Sequence, residues 1–93
     1  MKAMLVQKER VSLGDDRYVE IVIWALPEPT PACAHGFKYR LAYVVNEACV
    51  VRYDNERGKG DHKHVGGCEM AYAFATLDRL ADDFWADVAQ WRG

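Results

Sequence analysis

The sequence predicts an α+β domain, an antiparallel sheet of four or five strands with one C-terminal helix packed on one face. Three observations carry this expectation. Arg17–Leu26 and Phe37–Val45 are dense in β-branched and aromatic residues. Within the second run, Phe37, Tyr39, Leu41, Tyr43 and Val45 alternate with Lys38, Arg40, Ala42 and Val44, the period of a strand with two unlike faces. Between Thr76 and Arg92, the residues Leu77, Leu80, Phe84, Val88 and Trp91 recur at helical spacing. A chain of 93 residues is too short for two cores, so residues 1–93 read as one domain. Its 51% apolar content supports a core, and its 28% charged residues argue against disorder.

The elements follow in order. Ala3–Lys8, apolar at Met4, Leu5 and Val6, predicts a first strand. Gly14-Asp15-Asp16 is a turn signal, and Arg17–Leu26, apolar on both faces, predicts a central strand. Pro27, Pro29 and Pro31 end it, since each lacks an N–H donor and fixes φ. After Phe37–Val45, the Asn46-Glu47-Ala48 joint is of hairpin length and Cys49–Asp54 is the next strand. A three-residue loop there pairs Val45 with Cys49 and Arg40 with Asp54. It places Lys38, Arg40, Arg52 and Asp54 on one face and the aromatics on the other, whereas a one-residue slip would mix them. Residues 55–69 are polar and glycine-rich and predict a long loop without regular structure. Met70–Phe74 predicts a short edge strand. Thr76 is the expected N-cap of the helix, with Asp78 in its first turn.

Charge is unevenly distributed. The whole chain has 12 basic against 14 acidic residues, which excludes a uniformly basic nucleic-acid binder. Residues 35–64 nevertheless carry six positive and four negative groups and all three histidines, while residues 65–93 carry two positive and five negative. An anionic ligand is therefore drawn to the middle third. Cys33, Cys49 and Cys68 are odd in number and scattered, unlike a disulfide framework. No apolar run approaches the roughly 20 residues that span a bilayer, so no membrane association is expected. Cytoplasmic location is the expectation.

The stretch from Arg52 to His64 concentrates groups suited to acid–base work. An imidazole can give or take a proton near neutral pH, and His62 and His64 supply two of them, with Asp54 and Tyr53 close by in sequence. Lys38, Arg40, Arg52, Arg57, Lys59 and Lys63 are candidates for holding phosphate. Metal-free RNA cleavage needs a base for the 2′-hydroxyl, a cation at the phosphate and an acid for the leaving oxygen, and this set contains all three. The plainer reading is a solvated hairpin end. A metal reading would pair His62 and His64 with Asp54, Asp61 or Cys68, but a second paired motif is lacking, so neither metal nor cofactor is expected. His35 stands alone and is expected to bond to backbone. Gly58, Gly60, Gly66 and Gly67 lack the spacing of a phosphate-binding loop.

The strings from His35 to Val45, from Val51 to His64 and from Tyr72 to Phe74, followed by an acidic helix with Asp83-Phe84-Trp85, resemble the TumE-like family along essentially the whole chain. The resemblance implies the toxin of a bacterial toxin–antitoxin pair, held inactive by a cognate antitoxin, a helix-turn-helix protein encoded beside it. Lys63 and Cys68 stand where arginine is expected in relatives. Three activities are compatible with the residues. They are a metal-independent ribonuclease, a non-catalytic inhibitor binding a protein or ribosomal target, and a metal-dependent nuclease using His62 and His64. RNA is the expected substrate, and self-association into a homo-oligomer is left open.

Overall fold

The computed structural model describes residues 3–28, 35–56 and 60–91. Six strands follow one another as an antiparallel meander: β1 (Met4–Gly14), β2 (Arg17–Ala25), β3 (Phe37–Val45), β4 (Ala48–Glu56), β5 (Gly60–Val65) and β6 (Cys68–Ala71). One helix among the described residues, α1 (Leu77–Gln90), closes the order. The fold class is as the sequence predicts, with six strands instead of four or five. The first strand is longer than expected, reaching Gly14, because Lys8–Ser12 pair with β2 although their side chains are largely exposed. Of the proline connector, Pro27 lies in a bend, and Leu26 N donates to Gly36 O at 2.8 Å to clasp its two ends. Pro29, Pro31 and Cys33 lie outside the described residues.

The core lies between one sheet face and α1. Val19, Ile21 and Ile23 from β2, Tyr39, Leu41 and Tyr43 from β3, and Val51 and Tyr53 from β4 meet Leu80, Phe84 and Val88 of α1. These are alternate residues on each strand and i, i+4 residues on the helix, so the sequence periods themselves select the buried faces. Phe84, fully buried, sits edge-on to Tyr53 at 5.7 Å between ring centroids. Its burial contributes about 1.5–3 kcal/mol. Thr76 caps the helix as expected, its Oγ1 accepting from Arg79 N at 3.0 Å. Trp91 ends the helix and packs against the core, its ring lying over Gly66.

The β3–β4 hairpin reaches the expected pairing by a different route. Arg40 does face Asp54, but the loop has two residues, Asn46 and Glu47, and Val45 pairs with Ala48 rather than Cys49. Both loop residues adopt positive φ, 50° and 68°, as a type I′ turn requires. A shift of register between Tyr43 and Val44 then admits Val50 as an extra residue. That bulge restores the parity a two-residue loop would have lost.

Of the expected loop over residues 55–69, residues 57–59 lie outside the described residues, and regular structure takes up most of the rest. Gly60–Val65 forms β5, Gly66-Gly67 forms a tight turn with Gly66 at φ 61°, and the edge strand starts at Cys68 rather than Met70. The reason is chemical. On the helix-facing side of β5 only Val65 is apolar, while Asp61 and Lys63 are held by polar partners. Asp61 Oδ2 accepts from Tyr39 OH at 2.6 Å and lies 2.8 Å from His35 Nε2. Lys63 Nζ reaches Asp87 Oδ2 of α1 at 3.1 Å. A strand whose inner face is satisfied by ion pairs shows no apolar alternation.

Candidate functional site

Among the described residues, no element packs on the second face of the sheet, and strand alternation places a distinct set of side chains there. The register aligns two rows across it. One row runs Val22, Arg40, Asp54, His62 and Ala71, the other Glu20, Ala42, Arg52, His64 and Glu69. Lys38 follows Arg40 along β3 on the same face.

Four of these groups form one cluster. His62 is buried at 5% exposure and Asp54 at 7%, and His62 Nε2 lies 2.9 Å from Asp54 Oδ1. Arg52 Nε lies 3.2 Å from Asp54 Oδ2. Arg52 Nη2 lies 2.8 Å from His64 Nε2. The two imidazoles meet edge to face at 5.3 Å. Glu69 Oε1 completes the rim at 3.8 Å from both His62 Nε2 and His64 Nε2. Although the Asp54 contacts are close, Asp54 Oδ1 and Arg52 Nε are buried without an aligned hydrogen bond. Buried polar atoms of this kind are few in folded proteins.

The two histidines meet opposite partners. His62 Nδ1 lies 3.2 Å from the Gly60 carbonyl and its Nε2 faces the Asp54 carboxylate, so both of its nitrogens lie beside acceptor atoms. His64 Nε2 faces the Arg52 guanidinium, which only donates.

The expected site residues divide cleanly. His62, His64, Asp54, Arg52, Arg40 and Lys38 share the open face, with Arg40 and Lys38 exposed. Tyr53 and Lys63 do not join them. Tyr53 is fully buried on the helix-covered face, where its hydroxyl donates to Asp87 and to the Asp83 carbonyl. Burial first, then the bond to Asp87, pushes its pKa well above the ordinary tyrosine range and suits it to structure. Lys63 Nζ lies 3.3 Å from the same hydroxyl. Arg57 and Lys59 lie outside the described residues. Glu69 was not anticipated; reading Val65-Gly66-Gly67-Cys68 as a two-residue hairpin would have put it opposite His64. His35 does bond to backbone, Nδ1 accepting from Phe37 N at 3.2 Å, and stacks on Phe74 at 3.9 Å.

Asp54, His62 and His64 bring one donor atom each within 4.8 Å of one another, a set able to hold a divalent ion. Asp61 and Cys68, the other carboxylate and thiol considered for such a site, project to the opposite face. Arg52 already places a fixed positive charge among the three donors, so an ion would have to displace it.

Fold and cluster together define a small α+β protein with a histidine–aspartate–arginine cluster on an uncovered sheet face. The chain belongs to the toxin TumE family, whose family description, Toxin TumE, matches residues 3–92. Membership implies an antitoxin partner. Comparison with curated proteins and with solved structures finds no match. Among the described residues, no helix is long and apolar enough to cross a membrane.

Proposed function

We propose that this toxin cleaves RNA at the open sheet face without a metal ion, with His64 as the base and His62 as the acid. The observation that supports it most strongly is the contrast between the partners of the two rings. An incoming phosphate draws the Arg52 guanidinium away from His64 Nε2 and frees its lone pair. His64 then takes the 2′-hydroxyl proton, and the 2′-oxygen attacks phosphorus. The bond to the 5′-oxygen breaks, and that oxygen leaves with the His62 Nε2 proton. The products are a 2′,3′-cyclic phosphate and a 5′-hydroxyl. Asp54, 2.9 Å from His62 Nε2, positions that ring, while Arg52, Arg40 and Lys38 offset the charge that develops on phosphate. The antitoxin, in this reading a helix-turn-helix protein encoded beside the toxin, silences it by covering the same face.

The ends of the cleavage products test the chemistry. Cyclic phosphate ends and inertness of an all-2′-deoxy strand are expected. Equal cleavage of DNA, or 5′-phosphate products, would refute the mechanism.

A further inference from the structure

The open face extends beyond the histidine cluster, and its charge differs from that of the helix layer. Lys8, Arg10, Lys38, Arg40 and Arg52 share it with Glu20, Asp54 and Glu69, whereas α1 carries Asp78, Asp82, Asp83 and Asp87 against Arg79. Within this basic field stands Trp24, 38% exposed on β2, directly opposite Lys38 of β3 and Leu5 of β1. A large aromatic so exposed on a strand is not fixed there by the core, whose β2 members are Val19, Ile21 and Ile23.

Trp24 stands apart from the cluster. It is three strands from His62 and two residues off its row, which at strand spacing and rise amounts to about 16 Å. Lys38 and Arg40 lie between the two. An indole, then two cations, then an acid–base pair is the order in which an extended strand of nucleotides presents a base, its phosphates and the reacting 2′-hydroxyl. Duplex RNA cannot use such a platform, because its bases are already stacked.

We propose that Trp24 is a base-stacking subsite for single-stranded RNA, with Lys38 and Arg40 holding the phosphates between it and the His62–His64 cluster. This subsite rests on the reading of RNA as the substrate, and it adds the strand state and the path across the sheet. Stacking on an aromatic side chain is worth about 5- to 150-fold in affinity per base.

The test uses the His64→Ala protein, in which cutting is slowed enough for binding to be followed, with and without Trp24→Ala or Trp24→Phe. Binding of a single-stranded RNA oligonucleotide is followed by tryptophan fluorescence and by filter retention. Trp24→Ala is expected to weaken binding about 5- to 150-fold and to remove most of the quenching, while Trp24→Phe keeps most of the affinity. Binding of duplex RNA of the same sequence is expected to be far weaker and unchanged by Trp24→Ala. Equal single-strand affinity for the His64→Ala protein with and without Trp24→Ala, at matched melting temperature, would overturn the subsite. Trp24-dependent binding without cleavage by the wild type would count against the catalytic reading alone. Cleavage with Trp24-independent binding would count against the subsite alone.

Discussion

His62 and His64, two residues apart on β5, point to the same side of the sheet and meet opposite charges: the Asp54 carboxylate lies 2.9 Å from one ring and the Arg52 guanidinium 2.8 Å from the other. A strand places residues i and i+2 on one face, so the spacing brings the rings together. The neighbouring strand then makes them different. Asp54 and Arg52 are themselves i and i+2 on β4, in register with His62 and His64. The asymmetry therefore follows from the β4–β5 register, and a one-residue slip would abolish it.

Side-chain face separates the cations. Arg40→Gln should weaken single-stranded RNA binding and reduce the slope of log K against log salt by about 0.7. Lys63→Met should cost about 1 kcal/mol of stability through its lost contact with Asp87, with RNA affinity and salt slope unchanged. Salt titrations of both variants check this. An equal loss of RNA affinity in the two would contradict the assignment of Lys63 to the helix-covered face.

Alkaline pH should unfold the protein. Burial first, then bonds to Asp61, Asp87 and Asp83 respectively, raises the pKa values of Tyr39, Tyr53 and Tyr72 above the ordinary tyrosine value. A raised native pKa means full stability below the unfolded value of about 10 and loss as pH rises beyond it, because the unfolded chain ionises first. Urea midpoints should fall from about pH 10 upward, and Tyr53→Phe should flatten that fall. Phenolate absorbance from these three residues with a native far-ultraviolet signal at about pH 10.5 would contradict it.

The β3–β4 turn is strained at Glu47, a non-glycine residue at φ 68°. Glu47→Gly should therefore stabilise the protein by up to about 1 kcal/mol, seen as a higher melting temperature. An unchanged or lower value would show that the Glu47 side chain offsets its backbone cost.

Much of the fold was legible in the sequence, and the failures have specific causes. The core stripe of α1 and the aromatic face of β3 are periodic and apolar, so their burial could be read directly. The Arg40–Asp54 pairing was legible from segregation of polar and apolar residues. The Val50 bulge was not, because a loop one residue longer gives the same downstream register. β5 was hidden because its inner face is polar. For the same reason Lys63 read as a phosphate ligand: its partner Asp87 is 24 residues away, and nothing local announces the pair. Tyr53 was drawn to the site by its neighbour Asp54, yet adjacent residues on a strand face opposite ways. The histidines, Asp54 and Arg52 were legible as a set, but their geometry awaited the register of β4 against β5.

The central claim is tested most directly by incubating purified wild-type and His64→Ala proteins with single-stranded RNA in EDTA, alongside a reaction with added divalent metal. Wild type should cut the RNA in EDTA, and His64→Ala should remain folded and cut about 10²–10⁴-fold more slowly. Equal rates for the two proteins would contradict the assignment of His64 as base. Cleavage only after metal is added would transfer the chemistry to an ion held by Asp54, His62 and His64. No cleavage under either condition would favour a toxin that inhibits by binding a protein or ribosomal target.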